Sequence, residues 1–250
     1  FCHEFGHVLG LPDLYNTDNQ NARTHGDWDI MDYGPYNNDG NTPPAYSGYE
    51  RFFCGWATPE LLVEPAYYSL NELNASNTVL LISTTDRHNL IGNDPDPTTF
   101  YLLENRQQTG WDEYLAGHGL MLTKINYSYS KWYSNSPNNT ASNMGVDLIE
   151  AKTNTSSTNK ATDLFPAGAT SYTGIADHPI TDIKEENGII YFSYKGGTEQ
   201  RETAIIDIAD DEQVIGIYTL TGNSLPVNTE LSSGVYIIRT TNGSRKVVIP

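Results

Sequence analysis

Aromatic residues recur at helical spacing between residues 45 and 56. Tyr46, Tyr49, Phe53 and Trp56 are separated by three or four positions, and such positions lie on one face of an α-helix. The pattern predicts a short helix whose aromatic face is buried in a core.

From residue 62 to residue 197 the pattern changes to short segments of β-branched and aromatic residues separated by turn-rich stretches. Such segments are typical of strands and predict an antiparallel β domain. Asn187 and Gly188 suit the positive φ of a tight hairpin, and the polar tract from 130 to 143 predicts an exposed loop. The segments are TVLLIS, TFYLLEN, GLMLTKINYS, VDLIEA and IIYFSYK.

A linker, GGTEQRE, is expected near residues 196–202, and a small all-β unit follows it. Its segments QVIGIYTLTGNSL and SSGVYIIRTTNGSRKVVIP predict strands with turns at 222–223 and 242–243. The whole chain therefore has an α+β pattern in three parts. We expect a mainly helical and loop part at 1–61, an antiparallel β domain at 62–197 and a β-sandwich-like unit at 198–250.

Composition restricts the class of protein. The net charge of −17 argues against a nucleic-acid partner and favours solubility outside the cell. No apolar run approaches the roughly 18 residues that a transmembrane helix needs. Cys2 and Cys54 either form one disulfide or are buried as small apolar side chains. The acidic and Asn-rich stretch at 13–29 offers oxygen ligands for calcium, although without regular spacing.

Candidate chemistry is concentrated in HEFGHVLGLPD, which begins at the third residue. His3 and His7 stand four positions apart, so on a helix both imidazoles lie on one face and can bind one metal ion. Glu4 follows the first histidine. A carboxylate in that position can take a proton from water at the metal, which makes Glu4 the candidate general base.

The residues after the second histidine predict a helix end and a third ligand. Gly10 tolerates positive φ, and a proline two residues later cannot continue the helix. A reversal of the chain there brings Asp13 to the ion and leaves a fourth position for water. His25 is a competing donor, and Glu50 would be the ligand in a thermolysin-like arrangement.

A second short motif, GDWDIMDYG, spans residues 26–34. Met31 lies in its predicted turn, and the flexible thioether of a methionine there can pack beneath the histidine ligands.

Together these motifs resemble the immune-inhibitor-A-like metzincin zinc endopeptidases of bacteria. The segments that carry the resemblance are HEFGHVLGLPDLY, DIMDYG, PPAYSGYERFFCGW and FYLLENRQQTGWDEYLAGHGLML. The resemblance covers roughly the first 195 residues. It implies zinc as cofactor, Met31 as the Met-turn, and Tyr33 as a phenol that stabilises the oxyanion. The ligand set that it implies is His3, His7 and Asp13.

The resemblance also implies an N-terminal subdomain with a substrate-aligning sheet. Nothing in this sequence precedes His3 that could form it. We therefore expect the chain to be the C-terminal part of a longer protein.

The end of the chain resembles the C-terminal sorting domain of proteins exported by the type IX (Por) secretion system of Bacteroidetes. The residues that carry this resemblance are YTLTG, LSSGVYIIR and the basic, apolar end of the chain. The resemblance implies the type IX machinery as a partner, and a bacterial protein that is secreted or attached to the cell surface.

The favoured function is a secreted zinc endopeptidase that acts on protein or peptide substrates, with Glu4 passing the proton to the leaving amine. The alternative is a surface-anchored binding or scaffold protein with a vestigial metal site. A further alternative is that the chain by itself is inactive although its parent protein is active.

Overall fold

The computed structural model describes residues 1–154, 158–198, 213–219, 222–227, 229, 231 and 234–249. The chain forms two compact units, Phe1–Thr198 and Glu199–Pro250. The secondary structure is mixed, with sheets predominating over short helices. None of the helices in the described ranges is long and apolar enough to cross a membrane.

Short helices and turns form the chain before Glu60, where the first described strand begins. The predicted aromatic helix is present as α3, which contains Tyr49 and Phe53, whereas Tyr46 and Trp56 lie outside it and Trp56 is 46 % exposed. The Ser47 hydroxyl and the Glu50 carboxylate form a capping box at the start of this helix. Both cysteines are free thiols. The helices are α1 Cys2–Val8, α2 Asn37–Gly40, α3 Gly48–Phe53, α4 Leu73–Ser76 and α5 Tyr129–Tyr133.

The central element of the first unit is a five-stranded sheet. Its strand order is β1-β3-β4-β5-β6, and every neighbouring pair is antiparallel except β1 with β3. The two eight-residue strands, β4 and β5, pair along their whole length. The strands are β1 Glu60–Leu61, β3 Leu80–Ile82, β4 Thr99–Arg106, β5 Gly119–Asn126 and β6 Val146–Leu148.

A three-stranded antiparallel sheet completes the first unit, in the order β2-β8-β7. Its strands are β2 Ala66–Leu70, β7 Ile180–Glu186 and β8 Ile189–Tyr194. Asn187 and Gly188 form the hairpin between β7 and β8, with φ values of 54° and 77°. Both are left-handed, as a type I′ turn requires.

Successive side chains of β4 belong alternately to two hydrophobic cores, one on each face of the five-stranded sheet. Phe100 and Leu102 pack into the core that contains Met31 and α3 residues, whereas Tyr101 and Leu103 pack into the core of the three-stranded sheet. The five-stranded sheet is therefore covered on both faces, which explains why β4 is buried from its second residue onward. Residues on both sides of position 61, where the first predicted part of the chain ends, share the first core. The division of the chain into three parts remains a prediction.

A buried ion-pair network ties the N-terminal turns to this sheet. Arg106 is fully buried at the end of β4, and its guanidinium lies 3.1 Å from Glu104 Oε1 and 2.7 Å from Asp112 Oδ1. It also donates to the carbonyl oxygens of Trp28 and Ala45. One cation thus forms ion pairs with two buried carboxylates and contacts the segment that carries Met31.

The tract from 130 to 143 is exposed in part, as predicted, at 133–134 and 140–143, but it also contains part of a helix and buried residues. It begins within α5, where Trp132 is buried against Tyr49 and Tyr127. Asn138 is fully buried because its amide bonds the carbonyls of Leu14 and Val146. Local polarity predicted exposure, but the Asn138 amide finds a backbone partner in Leu14, 124 positions away in the sequence.

The second unit contains a four-stranded antiparallel sheet in the order β10-β9-β11-β12. Gly222 lies in the turn before β10, as predicted, whereas the β11–β12 turn consists of residues 241 and 242, one position earlier than predicted. Most of the predicted linker, residues 199–202, lies outside the described residues. The strands are β9 Val214–Thr219, β10 Ser224–Leu225, β11 Gly234–Thr240 and β12 Gly243–Ile249.

Candidate metal centre

Helix α1 presents both histidines on one side, and a sharp C-terminal turn follows. The ring centroids of His3 and His7 lie 4.9 Å apart. Gly10 has a φ of 93° and donates to the His7 carbonyl, while the Leu11 N–H donates to the Gly6 carbonyl. This is a Schellman arrangement, which reverses the chain at the glycine and directs it back along the helix.

The reversal places Asp13 against the two imidazoles. Asp13 Oδ1 lies 3.0 Å from His3 Nε2 and 3.2 Å from His7 Nε2. The three candidate ligand atoms all lie within 4.8 Å of one another, and no other such group occurs among the residues that the structure describes. Asp13 is only 5 % exposed, so its carboxylate is held in this position by the surrounding chain.

Backbone carbonyls orient both imidazole rings. His3 Nδ1 lies 2.8 Å from the Ile30 oxygen, and His7 Nδ1 lies 2.9 Å from the Leu11 oxygen. A carbonyl oxygen only accepts hydrogen bonds, so each Nδ1 carries a proton. With Nδ1 engaged in this way, each ring turns its Nε2 toward Asp13, as metal-binding histidines with a carbonyl partner do.

This donor set fits a divalent cation. The two Nε2 lone pairs and Asp13 Oδ1 are all acceptors, and acceptors that face one another are stable only with positive charge between them. A proton on one ring satisfies a single pair, whereas a metal ion satisfies all three atoms. Nitrogen and carboxylate ligands in this number match catalytic zinc sites, which keep a fourth position open.

The ionisation of the ligands reflects their proximity. The hydrogen bond to Asp13 raises the pKa of His3 against the opposing effect of burial. Burial by itself would raise the pKa of Asp13, but hydrogen bonds with His3, Asn135 and Tyr15 lower it on balance. The carboxylate therefore stays anionic, as a metal ligand must.

Met31 lies directly beneath the helix. It is fully buried, and its sulfur touches Gly6, where an added methyl group would collide with it. The Met31 carbonyl accepts from the Leu14 N–H at 2.7 Å, next to the third ligand. Residues 26–34, which we call the Met31 segment, therefore contact α1 through Gly6. They also contact residues 10–14, the ligand turn that brings Asp13 to the histidines.

Two tyrosines lie on the side of the site near the Met31 segment. The Tyr15 ring stacks on His3, with centroids 6.4 Å apart, and Tyr33 packs against Tyr15 at 5.9 Å. The Tyr33 hydroxyl is directed to the Gln20 carbonyl, 3.5 Å away. Burial and hydrogen bonding to Asp13 raise the pKa of Tyr15 to about 12. Tyr15 is thus the nearer phenol, and it follows the motif so closely that its position in the sequence could have indicated it.

Glu4 is exposed on α1, near enough for its charge to raise the pKa of His3. The competing donors lie elsewhere. His25 is buried, its Nε2 lies 3.4 Å from Thr123 Oγ1, and burial lowers its pKa to about 4. Glu50 is fully buried in the capping box of α3. Neither belongs to the metal-binding group of the described residues.

A partner of Asp13 that sequence patterns did not indicate is Asn135. Its side-chain oxygen accepts from the Asp13 N–H at 2.6 Å, and its amide nitrogen donates to Asp13 Oδ2 at 2.6 Å. The two residues are 122 positions apart, and no motif connects them.

The calcium ligands suggested for 13–29 remain a prediction. Within that stretch, the Asn16 side chain accepts hydrogen bonds from the backbone N–H groups of Asp18 and Asn19.

The donor set, the turn that follows α1 and the adjacent glutamate lie within a segment that matches a known protein family. The family model of the immune inhibitor A peptidase M6 catalytic domain matches residues 1–56. The match includes α1, the ligand turn, the Met31 segment and α3, and it supports a metallopeptidase family. A comparison with curated proteins found no match.

A buried acid beside Met31 should make stability depend on pH. Asp32 is 2 % exposed, and burial raises its pKa to about 7. Between pH 4 and 7 the folded chain keeps a proton that the unfolded chain releases, so this residue lowers the free energy of unfolding as pH rises. We expect Asp32→Asn to remove this decrease in the free energy of unfolding. Over this range the variant should become more stable relative to the parent by at most about 1.4 kcal/mol for each pH unit.

Chemical denaturation at several pH values between 4 and 8 measures this effect. Asp18→Asn is the matched control, because Asp18 is an exposed aspartate. Stability curves of Asp32→Asn and the parent that run parallel across this range would contradict the expectation.

Proposed function

We propose that this chain carries the zinc centre of a secreted endopeptidase that hydrolyses peptide bonds. The observation that carries the proposal is the convergence of His3 Nε2, His7 Nε2 and Asp13 Oδ1, with both Nδ1 atoms donating to backbone carbonyls. The family match over residues 1–56 supports the peptidase class.

Zinc fits this donor set better than calcium or magnesium, which prefer oxygen ligands. Three protein ligands are typical of a catalytic centre, whereas a structural zinc is enclosed by four. When bound, zinc would polarise the scissile carbonyl and lower the pKa of an attacking water toward about 7. A catalytic zinc centre disfavours the alternative of a scaffold protein with a vestigial metal site. In that alternative Glu4 has no chemical role.

The chain's own residues supply proton transfer and orientation. Glu4 follows the first ligand and is exposed, so its carboxylate can take a proton from water and deliver it to the leaving amine. Asp13 and the two histidines, whose Nδ1 atoms donate to backbone carbonyls, would hold the metal. We assign Tyr33 as the phenol that donates to the developing oxyanion, with Tyr15 as the phenol between it and the cluster.

Export is part of the proposal. The net charge of −17 suits a soluble protein outside the cell, and the residue pattern of the second unit resembles a type IX sorting domain. Protein or peptide substrates and the export machinery are the partners that follow from this function.

Metal binding tests the centre directly. We expect the purified chain to bind one zinc ion, with affinity reduced at least about 100-fold in His7→Ala because a ligand is lost. His118→Ala is the control, since His118 is an exposed histidine that pairs with Glu185. Isothermal titration measures both variants. Zinc binding by His7→Ala that equals the parent would overturn the assignment.

A further inference from the structure

Asp13 is held by a single residue from a distant part of the chain. Asn135 accepts from the Asp13 backbone N–H and donates to its side-chain Oδ2, both at 2.6 Å. These two bonds fix the backbone and the carboxylate of the third ligand together. The remaining oxygen, Oδ1, is the one that faces both histidines.

The choice of an amide for this contact is chemically specific. A carboxylate has two equivalent oxygens, and a neutral donor on one of them directs the other to the metal. An arginine or lysine at this position would add a positive charge beside the cation, whereas the amide donates without charge. Asn135 therefore orients Asp13 and leaves its negative charge to the metal.

Residues close to Asn135 in the sequence also form hydrogen bonds with the segment that follows Asp13. Residues 135–139, which we call the asparagine tract, follow α5, and Asn135 has a left-handed φ of 53°. The buried Asn138 donates to the Leu14 carbonyl at 2.7 Å. Asn139 bonds the backbone and hydroxyl of Thr17. Three asparagines of one tract thus contact residues 13–17, and only Asn135 contacts the ligand itself.

We propose that Asn135 is a positioning residue that fixes Asp13 as the third metal ligand. The proposal rests on the zinc centre proposed above and adds a residue from outside the matched N-terminal segment. Hydrogen-bonded partners of metal ligands usually contribute about 10- to 100-fold to metal affinity.

The test variant is Asn135→Gly. Glycine adopts the left-handed φ of this position without strain, so the change removes the two side-chain hydrogen bonds and leaves the backbone undisturbed. We expect zinc affinity, measured by competition with a chelator, to fall about 10- to 100-fold. The visible absorption of the Co²⁺-loaded chain should also change, because it reports the ligand geometry. The control Asn139→Ala should stay within about threefold of the parent, since its partner Thr17 is not a ligand.

A double-mutant cycle separates positioning from a general structural role. Asn135→Gly should lower zinc affinity less than about threefold in an Asp13→Ala background, because the carboxylate through which it acts is gone. An equal loss in both backgrounds, or no loss in the parent, would overturn the proposal. If Asp13→Ala alone leaves zinc affinity unchanged, the zinc centre itself fails, and positioning fails with it. The melting temperature of each metal-free variant shows that it is folded.

Discussion

Glu4→Gln should bind zinc as tightly as the parent and lose about 10²- to 10⁴-fold in the rate of peptide-bond hydrolysis. Glutamine keeps the size of the side chain and its exposed position on α1. It cannot accept and return a proton, so the step that activates water and protonates the leaving amine is lost. Neither the histidines nor Asp13 uses Glu4 as a hydrogen-bond partner, so metal binding should persist.

The experiment uses the whole gene product and an unfolded protein substrate, with zinc content measured in parallel. Glu64→Gln is the control, because Glu64 is exposed and lies outside the motif. Loss of hydrolysis with full zinc content supports Glu4 as the base. Undiminished hydrolysis would refute the peptidase mechanism, and loss of zinc together with activity would show that Glu4 acts on the metal site instead.

The second large effect concerns stability. We expect Arg106→Met to lower the free energy of unfolding by about 3–5 kcal/mol, because it removes the guanidinium that forms ion pairs with the buried Glu104 and Asp112. Burial already raises the pKa of Glu104, and the loss of Arg106 should raise it further. This loss of stability should therefore be smaller at acid pH, where the Glu104 carboxyl holds a proton in the folded state.

Urea denaturation at pH 5 and pH 8 measures this deficit. Lys184→Met is the matched control, since Lys184 pairs with Glu186 on the surface, and exposed ion pairs contribute little to stability. Because Arg106 also bonds the Trp28 carbonyl, zinc affinity should fall with stability in the same variant. A loss no larger than that of Lys184→Met would show that the buried network is not stabilising the fold.

Several elements could be predicted because their causes lie within a few residues. The spacing of His3 and His7 places both on one helix face, and Gly10 ends that helix with the expected positive φ. The hairpin at Asn187 and Gly188 follows from their tolerance of left-handed backbone. The long strands β4 and β5 each contain a short run of large apolar residues, FYLL at 100–103 and LML at 120–122.

Other features could not be predicted, because they depend on which distant segments meet. Local polarity indicated a loop for 130–143, yet Trp132 and Asn138 are buried there through contacts with residues far away in the chain. The spacing of Tyr33 after Met31 suggested a role at the site, and only the packing shows Tyr15 between Tyr33 and the cluster. Nothing near Arg106 in the sequence predicts that it contacts Trp28 and Ala45.

The sequence by itself determined the chemistry of the candidate site: two imidazoles at helical spacing, a glycine-directed reversal, a carboxylate beyond it and a free glutamate beside the first histidine. These depend on local geometry, which a few neighbouring residues specify. The tertiary structure alone decided how that site is supported, through Asn135 on Asp13 and Arg106 beneath the Met31 segment. Such contacts depend on sheet register and core packing, which no local pattern encodes.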